Sequence, residues 1–145
     1  MGYMVGIVLA LSVSAFARWT GFDRDRAFYP TVLIVIASFY VLFAVMGGSM
    51  QAAAIETAVM SAFVLAAVVG FKFSPWIVVA GLALHGIFDL FHDVVIANPG
   101  KPSWWAPFCL AYDVGAAACL AWLSRKRFEW PPHTARRRPN GISTV

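Results

Sequence analysis

The chain has 145 residues, 61% of them hydrophobic and only 12% charged, and its uncharged runs exceed what the core of a soluble domain this size requires. Its formal net charge of +4 lies between apolar runs and in a C-terminal tail, not as a stripe on a soluble surface, so nucleic acid is excluded as a partner. No P-loop, dinucleotide fingerprint, Cys-x-x-Cys pair or Ser-centred elbow occurs, which removes the common soluble nucleotide, metal and hydrolase classes.

In chain order, five spans are expected at about Met1 to Ala17, Ala27 to Gly47, Ala52 to Gly70, Trp76 to Ala97 and Trp104 to Leu123. The second and fifth are apolar nearly all round and require lipid on their outside. The first resembles a signal peptide at Ala15-Phe16-Ala17. It lacks a basic start and runs at once into arginines, and so reads as a short first helix. The links are short: a charged turn from Arg18 to Arg26, a small polar one from Gly48 to Gln51, a Lys-bearing one from Phe71 to Pro75, and an Asn-Pro-Gly turn from Asn98 to Ser103. Short links make neighbouring helices antiparallel.

Basic residues set the orientation, because Lys and Arg are retained on the cytoplasmic side. Arg18, Arg24, Arg26, Lys72 and the tail arginines fall on one side, and Lys101 alone on the other. The expectation is an all-α, polytopic transmembrane bundle (residues 1–124) with its N-terminus outside, its C-terminus cytoplasmic and its home the bacterial inner membrane. Trp19, Trp76, Trp104, Trp105 and Trp122 near span ends fit interfacial belts. The tail, residues 125–145, reads as irregular and as a topology determinant, with contact to anionic lipid headgroups as the functional alternative; His133 within it reads as solvated.

Chemistry concentrates in the fourth span. At 100° per residue, His85, Asp89 and His92 fall within ~60° of one another, with Asp93 flanking, while Leu84, Ile87, Phe91 and Val94 occupy the opposite face. An Asp at a helix centre opposes insertion by about 2.5–3.5 kcal/mol, whereas each Leu, Ile, Phe or Val returns only about 0.3–0.6. The stripe therefore needs cover from partners. Asp113 of the fifth span and Glu56 of the third supply it, and the expected topology sends all five groups to one outward-facing pocket. Tyr40, and Cys109 one turn from Asp113, are placed to join.

Three uses stay open for His85, Asp89, His92, Asp113 and Glu56. A divalent metal such as Zn or Fe is one, with His85, Asp89, His92 and Asp113 as ligands. The ~10.5 Å between His85 and His92 along the axis strains a site using both. A proton ladder from mid-membrane to the outer surface is the second, and an acid/base pair acting on a lipid-soluble or small substrate the third. Mutual hydrogen bonding that merely ties helices together is the plain alternative. Small residues achieve packing more cheaply, and Gly81, Gly86, Gly115 and Ala116 to Ala118 already provide them. Cys109 and Cys119, ~15 Å apart on one helix, cannot pair with each other and read first as packing residues.

The pattern His85-x-x-x-Asp89-x-x-His92, Asn98-Pro99, Pro102, Cys109 and Asp113 resembles a family of short, uncharacterised bacterial integral membrane proteins. The resemblance covers about a quarter of the chain. It implies that His85, Asp89, His92, Cys109 and Asp113 form one site, and it brings no activity; Asp93 stands where the family has a second histidine of a pair. A proton-coupled carrier or channel subunit and a non-catalytic accessory subunit of a larger complex remain alternatives to an enzyme. Five short helices enclose little interior, which favours homo-oligomers or a larger membrane complex.

Overall fold

In the computed structural model, residues 1–24 and 26–125 are described, and they are helical with no strand among them. Five helices form: α1 (Gly2–Thr20), α2 (Phe28–Met46), α3 (Met50–Phe73), α4 (Pro75–Val95) and α5 (Trp105–Arg125). All five are long and apolar enough to cross a membrane. Large apolar side chains stand exposed along every one of them, as at Val8, Val35, Leu65, Phe91 and Val114, an outside suited to lipid rather than water.

Local chemistry sets the helix ends. Gly21, at φ 84°, takes the left-handed conformation that closes α1 and that other residues adopt only at a cost. Ser49 caps α3 by accepting the Ala52 N–H at 3.2 Å. Ser74, extended between two helices, caps α4 by accepting the Trp76 N–H at 3.3 Å, and Pro75 occupies the first turn, where its missing N–H costs nothing.

These caps explain where the helices outrun the expected spans. Helix α1 continues through Arg18 and Trp19 until Gly21 permits the reversal, and α3 continues through Lys72 until Ser74. Arg18 and Lys72 therefore sit on last turns, where a cation meets the negative end of the helix dipole, instead of in loops. The tail expectations, including the reading of His133, concern residues 126–145, outside the described residues.

Helix α5 lies between α1 and α4, α4 packs on α3, and α3 on α2, which folds back to touch α4 and α5. Helices in lipid associate through close packing, with little hydrophobic drive between them. Gly81 accordingly leaves room for Leu33, whose Cδ2 would lie 2.7 Å from an added Cβ. Leu33, Ala67, Val78 and Leu82 fill the half nearer the α1–α2 and α3–α4 links. At that end Arg18 stacks over Trp122 at 5.6 Å and Arg125 over Trp76 at 5.9 Å. The polar interior occupies the other half, toward the α2–α3 and α4–α5 links.

Candidate functional site: two joined polar clusters

The inward face of α4 is Val78, Gly81, Leu82, His85, Gly86, Asp89 and His92, a repeat of three and four residues that turns the whole polar stripe to the interior. Leu84, Ile87, Phe91 and Val94 face outward, as the periodicity predicts. Glu56, His85, Asp89, His92 and Asp113 are all buried, none more than 2% exposed.

The first cluster joins α4 to α5. His85 Nδ1 lies 2.7 Å from Asp113 Oδ2 and 3.6 Å from Asp89 Oδ2. Cys109 Sγ stands 3.8 Å from the same Asp113 oxygen, one turn back along α5. Gly86 makes this approach possible: an added Cβ there would lie 3.2 Å from the Asp113 Cβ. One ligand atom from each of His85, Asp89, Cys109 and Asp113 can be chosen so that all four lie within 4.8 Å of one another.

The second cluster joins α4 to α3. His92 Nε2 lies 2.8 Å from Glu56 Oε1, and its Nδ1 lies 3.4 Å from Asp93 Oδ1. Asp93 is itself largely exposed and paired with Lys101 at 3.0 Å. Thus the site is partitioned: His92 is not among the four mutually close ligand residues, and Glu56 partners His92 rather than His85.

Tyr40 of α2 bridges the two. Its hydroxyl donates to Asp89 Oδ1 at 2.5 Å, and its ring stacks on His92 with centroids 4.1 Å apart and planes 22° from parallel. Phe63 meets His85 edge-on at 4.8 Å, and Phe88 meets His92 edge-on at 5.6 Å, so the imidazoles are held by aromatic walls on other faces.

The α4–α5 link closes this end. Asn98 Nδ2 donates to the Tyr40 carbonyl and to Glu56 Oε1, both at 2.9 Å. Gly100 seats against the backbone of Phe43 and Gly47 so tightly that a Cβ would collide with the Phe43 carbonyl. The Asn-Pro-Gly turn, read from sequence as a helix breaker, is therefore also a plug that inserts an amide into the second cluster.

No family model, curated protein or solved structure matches the chain. Its chemistry must be read from its own side chains.

An imidazole, a thiol and two carboxylates are together a donor set suited to a borderline divalent ion. Bonds of about 2.0–2.3 Å to such an ion would space its ligands at roughly 3.3–3.8 Å. Coordination would thus open the His85–Asp113 hydrogen bond, whereas the 3.6 Å from His85 to Asp89 and the 3.8 Å from Cys109 to Asp113 already match this spacing. Asp89 Oδ2 and Asp113 Oδ1 are buried and receive no hydrogen bond among the described residues, leaving lone pairs available inside the cluster.

Sequence spacing identified four of the groups on α4 and α5 but undervalued Cys109, which is only 1% exposed and faces the cluster rather than merely filling space. Asn98 was visible only as part of a turn. The signal that would have raised it is an amide adjoining the polar end of a span: buried amides demand partners.

Proposed function

We propose that this chain is a five-span protein of the bacterial inner membrane in which His85, Asp89, Cys109 and Asp113 hold a divalent metal, zinc or iron. The metal would serve chemistry on a small or lipid-like substrate by polarising an oxygen or activating a water. One observation carries the reading: four buried donors from two helices lie within 4.8 Å of one another. Each carboxylate opposes insertion by about 2.5–3.5 kcal/mol at a helix centre, a cost that simple helix packing does not call for. Cys109 takes the fourth ligand position in place of His92. His92, with Glu56 and Asn98, then orients the neighbouring groups and exchanges protons toward the surface through Asp93. The distribution of Lys and Arg supports an outward-facing site.

Metal analysis of the full-length protein, purified without chelators, tests this directly. About one zinc or iron per chain is expected in the wild type, with loss in His85→Ala and Asp113→Asn. Equally negligible metal in wild type and His85→Ala would overturn it.

A proton-transfer reading has its own support in the Tyr40–Asp89 and His85–Asp113 hydrogen bonds, which need no ion. Its test is acidification of proteoliposomes. A flux abolished by Asp89→Asn in metal-free protein supports it, and an unchanged flux rejects it.

A further inference from the structure

The polar interior is sealed. None of Glu56, His85, Asp89, His92 and Asp113 is more than 2% exposed, and Cys109 is 1% exposed, so whatever reaches them from water has to open a way in. Most approaches are apolar. The outer faces of the helices carry large hydrophobic side chains, and Leu33, Ala67, Val78 and Leu82 fill the half toward the α1–α2 and α3–α4 links. A polar solute crosses such material only at high cost, which leaves the end formed by the α2–α3 and α4–α5 links.

Those two links are held differently. Gly47, Gly48 and Ser49 each donate a backbone N–H to a carbonyl of α2, at 2.8 to 3.0 Å, so the α2–α3 link is built into the helix end. The α4–α5 link, residues 96–104, has no backbone hydrogen bond to α2 or α3 among the described residues. Side chains fasten it instead. Asn98 Nδ2 holds the Tyr40 carbonyl and Glu56, and Lys101 Nζ holds both oxygens of Asp93, at 3.0 and 3.2 Å.

Lys101 is the telling member. Lysine side chains ordinarily extend into water, yet this one is only 4% exposed, folded back so that its ammonium meets Asp93 at the end of α4. Asp93 in turn lies 3.4 Å from His92 Nδ1, beside the second cluster. Pro99 and Pro102 stiffen the link between its fastenings, which lets it swing as one piece, and Gly100 lets it close flush against Phe43 and Gly47. We infer that the α4–α5 link is a lid over the buried polar site, latched by Lys101 on Asp93 and by Asn98 on Tyr40 and Glu56, and that polar solutes reach the site when these latches release. The inference goes beyond the metal reading, since it holds whatever the site binds.

The thiol of Cys109, inside the site, reports opening without any metal. The full-length protein, freed of metal and held in detergent, is treated with the small cationic reagent methanethiosulfonate ethyltrimethylammonium, and labelling is followed by mass spectrometry. Half-buried Cys119, further along α5, is the internal control. Asp93→Asn and Lys101→Gln should each speed Cys109 labelling about three-fold, the effect of releasing one ion pair, and Asn98→Ala about ten-fold. Combining Asp93→Lys with Lys101→Asp should restore the wild-type rate. Labelling of Cys119 should stay constant throughout.

The signs decide the outcome. Without a lid, charge alone would steer the cationic reagent, so Asp93→Asn would slow labelling while Lys101→Gln sped it, and that pattern overturns the inference. Equal acceleration at Cys119, the mark of general loosening, overturns it too, as do rates unchanged in every variant. Zinc uptake by the same metal-free samples, and zinc release to a chelator, should quicken together with affinity unchanged, because a lid alters the barrier and not the bound state. Thiol rates that follow the latches in protein that takes up no zinc keep the lid and remove the metal reading. Zinc uptake with thiol rates indifferent to the latches rejects the lid alone.

Discussion

Tyr40 crosses from α2 to α4 to donate its hydroxyl to Asp89 at 2.5 Å, and the same ring lies flat on His92 at 4.1 Å. One side chain therefore positions both polar clusters, through a hydrogen bond to one and a stacked face to the other.

Tyr40→Phe separates those contributions. The ring remains to stack on His92, while Asp89 Oδ1 loses its donor inside the bundle. The expected cost is about 1–3 kcal/mol of stability, read as a lowered thermal midpoint in detergent. Metal affinity should fall about 10–100-fold, as it does when a partner that orients a ligand is removed. An unchanged zinc affinity alongside lowered stability would restrict Tyr40 to a packing role.

Glu56 accepts from both His92 and Asn98 through a single oxygen, Oε1. Glu56→Ala leaves the buried His92 without that partner and the half-buried Asn98 with only the Tyr40 carbonyl, and is expected to cost about 3 kcal/mol, enough to lower the yield of folded protein. Glu56→Gln keeps an amide oxygen in place and should retain more than half of the lost stability. The two variants are compared by thermal unfolding in the same detergent.

Cobalt substitution distinguishes Cys109 as ligand from Cys109 as filler. The wild type is expected to show a thiolate-to-cobalt charge-transfer band, absent in Cys109→Ala. Chelator treatment should lower the thermal midpoint of the metal-loaded wild type and leave His85→Ala where it was, since a ligand stabilises only the state that binds it. A wild-type spectrum without the band, from cobalt-loaded protein, rules out sulfur coordination.

Gly100 abuts the Phe43 carbonyl and Gly47. Gly100→Ala must displace the α4–α5 link, at an overpacking cost of about 1–3 kcal/mol, and withdraw Asn98 from Glu56. Hydrogen exchange in residues 96–104 is expected to accelerate while α1 and the far ends of α2 and α3 keep their protection. A protection pattern identical to the wild type would show that the plug accommodates a methyl group.

The fold was largely legible because hydrocarbon imposes a simple rule: every buried backbone group is satisfied within its own helix, so long apolar runs become spanning helices. The α4 stripe was legible for a similar reason, since one helix fixes the angular positions of His85, Asp89 and His92 and carboxylates do not face lipid. Helix ends were less so. Gly21 and Ser74 decide where α1 and α3 stop, and a composition shift at Arg18 or Phe71 lies several residues earlier.

Sequence alone determined that there are five apolar helices and which face of α4 is polar, because periodicity and transfer cost act within a single segment. Only the tertiary structure decided that Glu56 pairs with His92, that Cys109 stands with His85 and Asp113, that Tyr40 bridges the clusters, and that Lys101 folds back onto Asp93. Those relationships depend on how far each helix is rotated and displaced against its neighbour. Small contacts such as Gly86 against Asp113 and Gly100 against Phe43 set these displacements, and no periodicity within one span encodes them.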